Sequence, residues 1–101
     1  MQTNTSIKDG QALVTLSGRF DFNAHRDFRA AYESLMENAE ARSITIDLRG
    51  VDYLDSSALG MLLMLRDKAA NAKKTLSLAN PQPGVKQVLD IANFGKLFEI
   101  V

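Results

Sequence analysis

The sequence predicts an α/β fold: a mixed, mostly parallel β-sheet with helices packed on it, in the order β-β-α-β-α-β-α-β. Three observations lead there. β-prone runs alternate with stretches of helical period along most of the chain, and strands that alternate with helices pair mainly in parallel. Only Asp9-Gly10 separates the first two runs, the mark of a tight antiparallel hairpin. The 101 residues, 46% of them apolar, are enough for one core but not for two, so residues 1–101 are expected to form a single domain.

Each element has a local reason. After the hairpin turn, Ala12–Ser17 alternates imperfectly because Leu13 joins Val14 and Leu16, which predicts partial cover on both faces. From Asn23 the period changes. Ala24, Phe28, Ala31, Leu35 and Ala39, with Tyr32 and Met36 beside them, mark one face of a helix that Asn23 is expected to cap. Its other face carries Arg26, Arg29, Glu33 and Glu37. "SITIDL" places Ile44, Ile46 and Leu48 on one side of a strand, and "RGVDYLD" reads as a loop. A second helix runs from the serine pair to about Ala72. "TLSLA" is a short strand, and "NPQPG" breaks the chain. Val85, Val88, Leu89 and Ala92 mark a third helix ending near Gly95, and "KLFEIV" is β-prone.

Composition excludes several function classes. Twelve basic residues balance twelve acidic ones, so no long-range field draws the chain to nucleic acid or anionic lipid. Cysteine is absent, which removes disulfides and thiolate chemistry. His25 is the only histidine, too few for a histidine metal centre, and neither a metal nor another cofactor is expected. "MQTNTS" lacks the basic-then-apolar order of a secretion signal. The longest apolar run, Ala58–Leu65, is far short of the ~20 residues that cross a bilayer. The expectation is a cytoplasmic protein with no membrane insertion.

The chemistry-bearing stretch is "DYLDSSALGM", residues 52–61. Capping the second helix needs one side chain, and Asp55 or Ser56 would serve. On a wheel of 100° per residue, Ala58, Leu62, Leu65, Ala69 and Ala72 form the sheet-facing stripe, with Leu59 at its edge. Met64 falls nearly opposite, in line with Gly60, Asn71 and the serine end. It is either a stray exposed apolar residue or part of a binding strip.

The serines admit three readings. One of them can be a cap. Ser56 or Ser57 can be a nucleophile with His25 as base, but the G-x-S-x-G elbow and a glycine-rich oxyanion loop are missing. Or one can be a phosphorylation switch, because the first turn of a helix has unpaired N–H groups and a positive dipole end that tolerate phosphate. Phosphate would add about −1.5 to −2 charges beside Asp52 and Asp55.

"ITIDLRGVDYLDSSALGMLLMLRDKA" resembles the core of STAS domains, the bacterial anti-sigma factor antagonists. "LSGRFDF" resembles that family's strand end, and "LSLANPQPGVKQVLDIANFGKLFEI" its tail, so the likeness spans nearly the whole chain. The resemblance implies a STAS-like domain with Ser56 as the phosphorylated residue (Ser57 the alternative), Asp55 beside it and Asp21 in the neighbouring loop. With the wheel, it places partner contacts at Asp21, Asp55, Ser57, Gly60 and Met64. Ala58 stands where the family often has glycine, and Arg19-Phe20 where an acidic-leucine pair is usual. The implied function is non-enzymatic. Unphosphorylated, the protein would sequester an anti-sigma factor or similar partner, which in the family is often itself an ATP-binding serine kinase, and a serine phosphatase would reverse the mark. The alternatives are an accessory subunit of an ATP-driven lipid transporter and, in a third class, a serine hydrolase.

Overall fold

The computed structural model describes residues Met1–Val101. Five strands form one sheet in the order β1-β2-β3-β4-β5: β1 Gln2–Lys8, β2 Gln11–Phe20, β3 Ser43–Leu54, β4 Thr75–Ala79 and β5 Glu99–Ile100. β1 and β2 form the antiparallel hairpin, and every later pair is parallel. Three helices, α1 His25–Met36, α2 Ser56–Asn71 and α3 Pro83–Ile91, cross between the parallel strands. Each crossover steps to the next strand in the same direction, and such crossovers are right-handed. All three helices therefore fall on one face, where sheet and helices share one cluster of 23 buried residues.

The opposite face of the sheet is open. Leu13 points there and is 40% exposed, so β2 is covered on one side only, not on both. Its cross-strand neighbours are hydroxyls, with Thr45 Oγ1 and Ser77 Oγ 3.2 Å apart.

"RGVDYLD" is not a loop. Through Leu54 it continues β3, and the reason it escapes a period-two reading lies in the register. Thr15 pairs Asp47 but Ser17 pairs Gly50, and Gly18 pairs Val51 but Arg19 pairs Tyr53. β3 thus inserts one extra residue at each of two irregularities. The buried positions consequently run Leu48, Val51, Leu54, at spacing three. Gly50 sits at the first of them, where a Cβ would lie 2.9 Å from the Leu16 carbonyl oxygen and 2.8 Å from Ser17 Cβ. Only glycine permits that approach.

The helix ends also differ from the periodic reading. Asn23 does not cap α1. Its backbone N–H donates to Asp21 Oδ1 (3.0 Å), which closes a 3-10 turn over Phe22–Ala24 before α1 begins. α1 ends at Met36, ahead of Ala39, which is exposed; the buried alanine is Ala41. Lys74 Nζ fastens this connection by donating to the carbonyls of Asn38 (2.8 Å) and Ala41 (2.6 Å). α3 opens with Pro83 in its first turn, where the missing N–H has no helical partner to lose. It stops at Ile91, short of Gly95. Asn93 turns left-handed (φ 59°), and a 3-10 turn at Phe94–Lys96 follows, bringing Phe94 and Phe98 into a stack at 5.1 Å. Of "KLFEIV", only Glu99–Ile100 is strand.

Candidate functional site

The two register irregularities set the site's position. They bring the ends of β2 and β3 level, so that Phe20 pairs Leu54 and the Asp55 N–H donates to the Phe20 carbonyl (3.3 Å). Asp21 and Asp55 therefore leave adjacent strands side by side. Each then does the same local job. Asp55, in extended conformation, accepts from the Ala58 N–H through Oδ1 (3.0 Å) and caps α2; Asp21 caps the 3-10 turn. The second Asp21 oxygen lies 3.5 Å from Arg19 Nε, and the Arg19 guanidinium carbon sits 4.0 Å above the Tyr53 ring.

With Asp55 as the cap, neither serine is needed for that role. Ser56 and Ser57 are the first two residues of α2, Ser56 exposed and Ser57 half-buried. The carboxylate takes the Ala58 N–H, which leaves the serines' own backbone N–H groups at the positive end of the helix without an intrahelical acceptor.

Below the serines, α2 buries Ala58, Met61, Leu62, Leu65 and Ala69. The wheel stripe missed Met61, and its Ala72 proves to be the half-buried C-cap residue. The outer ridge runs through Ser56, Gly60, Met64 and Asn71, all exposed, Met64 by 47%. Apart from its chain neighbours and the α2 backbone around it, no atom lies within 4 Å of where a Gly60 Cβ would be, so no packing contact requires glycine there.

The structure thus brings Asp21, Asp55, Ser56 and Ser57 to one corner, and Gly60 and Met64 follow along one helix face. It adds residues that pattern reading did not select. Phe22, directly after Asp21, is 74% exposed, and Tyr53 is 40% exposed. No period marks either one, because Phe22 lies in a turn and Tyr53 in the bulged half of β3.

The Asp55 carboxylate is committed to the α2 backbone and His25 opens α1 as an exposed residue, so no hydrogen-bonded relay runs from an acid through His25 to either hydroxyl. No group of three His, Cys, Asp or Glu side chains is placed to hold a metal ion. A groove of about 570 Å³ between α1 and α2, lined by Glu33, Glu37, Lys68 and Asn71 among others, lies at the opposite end of α2 from the serines. No helix is long and apolar enough to cross a membrane.

Comparison with known proteins agrees with this geometry. The family model described as "Mlab, STAS domain" matches residues 3–100. A STAS-domain containing protein of Pseudomonas aeruginosa (strain UCBPP-PA14) is 53% identical over 93 residues, 91% of this chain and 90% of that one. An anti-sigma F factor antagonist of Lysinibacillus sphaericus is 29% identical over 82% of this chain and 71% of its own. Among solved structures, the anti-sigma factor antagonist SpoIIAA superposes in its unphosphorylated form with a TM-score of 0.82, at 19% identity over 99% of this chain and 88% of that one. The phosphorylated form, from Bacillus, gives 0.75 at 18% identity, covering 99% and 91%. The sheet order, the capped serine pair and these likenesses lead to one conclusion: the chain belongs to the STAS-domain family.

Proposed function

We propose that the protein is an anti-sigma factor antagonist: a non-enzymatic binding module that docks an anti-sigma factor or similar partner through α2 and is released when Ser56 is phosphorylated. The observation that carries this reading is the division of labour at the start of α2. Asp55 caps the helix and Ser56 is exposed, so loss or modification of its hydroxyl is expected to leave the fold intact. The names of the Lysinibacillus and SpoIIAA relatives support the same class, and the phosphorylated SpoIIAA structure shows that protein accepting the mark. A serine kinase, which in one arrangement is the partner itself, adds the phosphate and a serine phosphatase removes it. This reading places the exchange in the cytoplasm.

The switch is electrostatic. Unpaired N–H groups and the helix dipole offset part of a phosphate's charge within the protein. A docked partner instead meets that charge together with Asp52 and Asp55. Like charges facing each other in an interface cost several kcal/mol, so phosphorylation is expected to weaken binding by about 100-fold or more. Ser56→Ala should bind permanently, and Ser56→Asp should be impaired.

The test joins two measurements. Mass spectrometry of protein from its own cells should find phosphate on Ser56 and little on Ser57. Titration of the co-purified partner against both forms, alongside melting curves, should show lost affinity with an unchanged fold. A mark confined to Ser57, or phosphorylation that strengthens binding, would refute the mechanism. A permanent complex with a transporter ATPase, indifferent to Ser56, would favour the accessory-subunit role on the same helix face.

A further inference from the structure

Arg19 belongs to no role described so far. Its side chain is 63% exposed and lies against two neighbours. Tyr53 lies directly opposite it in the β2–β3 pairing and supports the guanidinium from below, 4.0 Å from ring centre to Cζ. Asp21 Oδ2 steadies Nε at 3.5 Å, the long end of an ion pair. A guanidinium has five N–H donors in a planar fork. Nε faces Asp21 at 3.5 Å, and no hydrogen bond within the protein occupies the two terminal nitrogens.

The charge balance of the corner gives this arrangement its meaning. Asp21 and Asp55 leave the neighbouring ends of β2 and β3, Asp52 lies three residues earlier in β3, and Arg19 is the cation paired with Asp21 there. Asp21 is already divided between Arg19 and the 3-10 turn it caps. A guanidinium stacked on a ring offers its planar fork to a bidentate carboxylate, and the stack reduces the entropy lost on binding. Lysine at the same place would offer a mobile point charge and no stack.

We propose that Arg19, laid on Tyr53, is the specificity-determining contact of this corner and receives an aspartate or glutamate carboxylate of the partner beside Ser56. This rests on the reading that a partner docks over the start of α2, and it names the chemistry that partner must present. It also supplies the acid that a phosphate on Ser56 would repel. Tyr53 and Phe22 are both exposed at this end of β2 and β3, apolar surface that a docked partner would cover.

Two experiments test the contact, one with the partner and one without. In the first, the co-purified partner is titrated against full-length wild type, Arg19→Ala, Arg19→Lys, Arg19→Glu and Tyr53→Phe, each checked for an unchanged melting temperature. Arg19→Ala is expected to lose about 30-fold in affinity, the scale of an arginine hot spot. Arg19→Glu should lose more, Arg19→Lys should stay impaired, and Tyr53→Phe, which keeps the stack, should bind as wild type. Arg19→Glu binding as tightly as wild type overturns the proposal. A wild type that binds no partner sinks the docking reading instead.

In the second, isotopically labelled protein is titrated with a hexaglutamate peptide while the arginine Nε–H signals are followed. Arg19 should shift more than the exposed Arg26, and the difference should vanish in Tyr53→Ala. Equal shifts at Arg19 and Arg26 overturn the proposal whatever the partner proves to be.

Discussion

α1 and α2 lie on the same face of the same sheet, and their inner faces are alike. Phe28, Tyr32 and Leu35 of α1 are buried in one cluster with Ala58, Met61, Leu62 and Leu65 of α2. Their outer faces differ. α1 turns Arg26, Arg29, Glu33 and Glu37 to solvent, and Arg29 Nε meets Glu33 Oε1 at 2.7 Å one turn away. That hydrogen bond and charge hold the Glu33 carboxyl below its ordinary range and raise the Arg29 guanidinium further. The outer ridge of α2 has Ser56, Gly60, Met64, Asp67 and Asn71, with one charged residue and no ion pair. A helix that only had to be soluble would be finished as α1 is. Glycine on a solvent ridge lowers helix propensity and methionine there adds no charge, a difference that fits the proposed docking of a partner on α2.

Substitutions on the two helices can sharpen or break this contrast. The largest effect is expected where the helices agree. Phe28→Ala and Leu62→Ala should each cost on the order of 3 kcal/mol in denaturant titration, because both side chains are fully enclosed. If Leu62→Ala were nearly silent, α2 would be a loosely held element and its outer face would need no special account.

Next comes the helix start. Asp55→Ala removes the bond to the Ala58 N–H and should lower stability by about 1 kcal/mol. Ser56→Ala and Ser57→Ala should each stay within about 0.5 kcal/mol of wild type, as surface changes do. Should Ser56→Ala match Asp55→Ala in cost, the serine would be part of the cap and unsuited to reversible modification.

Met64→Lys is a smaller perturbation still for the fold, expected within about 0.5 kcal/mol by thermal melting. It should nevertheless weaken partner binding. A large loss of stability would place Met64 in the core, against its half-exposed position. Unchanged binding would make it an ordinary exposed residue.

The smallest effect belongs to the α1 surface pair. The folded-state pKa of Glu33 is depressed, so its contribution is present above the unfolded carboxyl range and is lost as pH falls through the folded value. Both partners are solvent-exposed, so Arg29→Gln should leave the midpoint at neutral pH within error and slightly flatten its fall on acidification. Weaker partner binding by Arg29→Gln would mean that α1 shares the interface and that the contrast between the helices is misplaced.

The sequence alone determined the parts that depend on local periodicity and on turn chemistry. Asp9-Gly10 forms its hairpin because both residues adopt positive φ there, 53° and 82°. The βαβ order, the inner faces of the helices and the exposure of Met64 follow from spacings of two and 3.6. The resemblance carried by "DSSALG" reached the family. Tertiary structure decided whatever depends on which strands lie beside each other. The second half of β3 is strand because two extra residues are absorbed against β2, and no local pattern records a pairing partner. The cap of the first helical segment is Asp21, not Asn23, because the entry to α1 is a 3-10 turn set by where β2 ends. The stack of Arg19 on Tyr53 joins residues 34 positions apart that meet only through the shifted register. Periodicity reports the faces of one element at a time, whereas a site built at the ends of two neighbouring strands is fixed by their register.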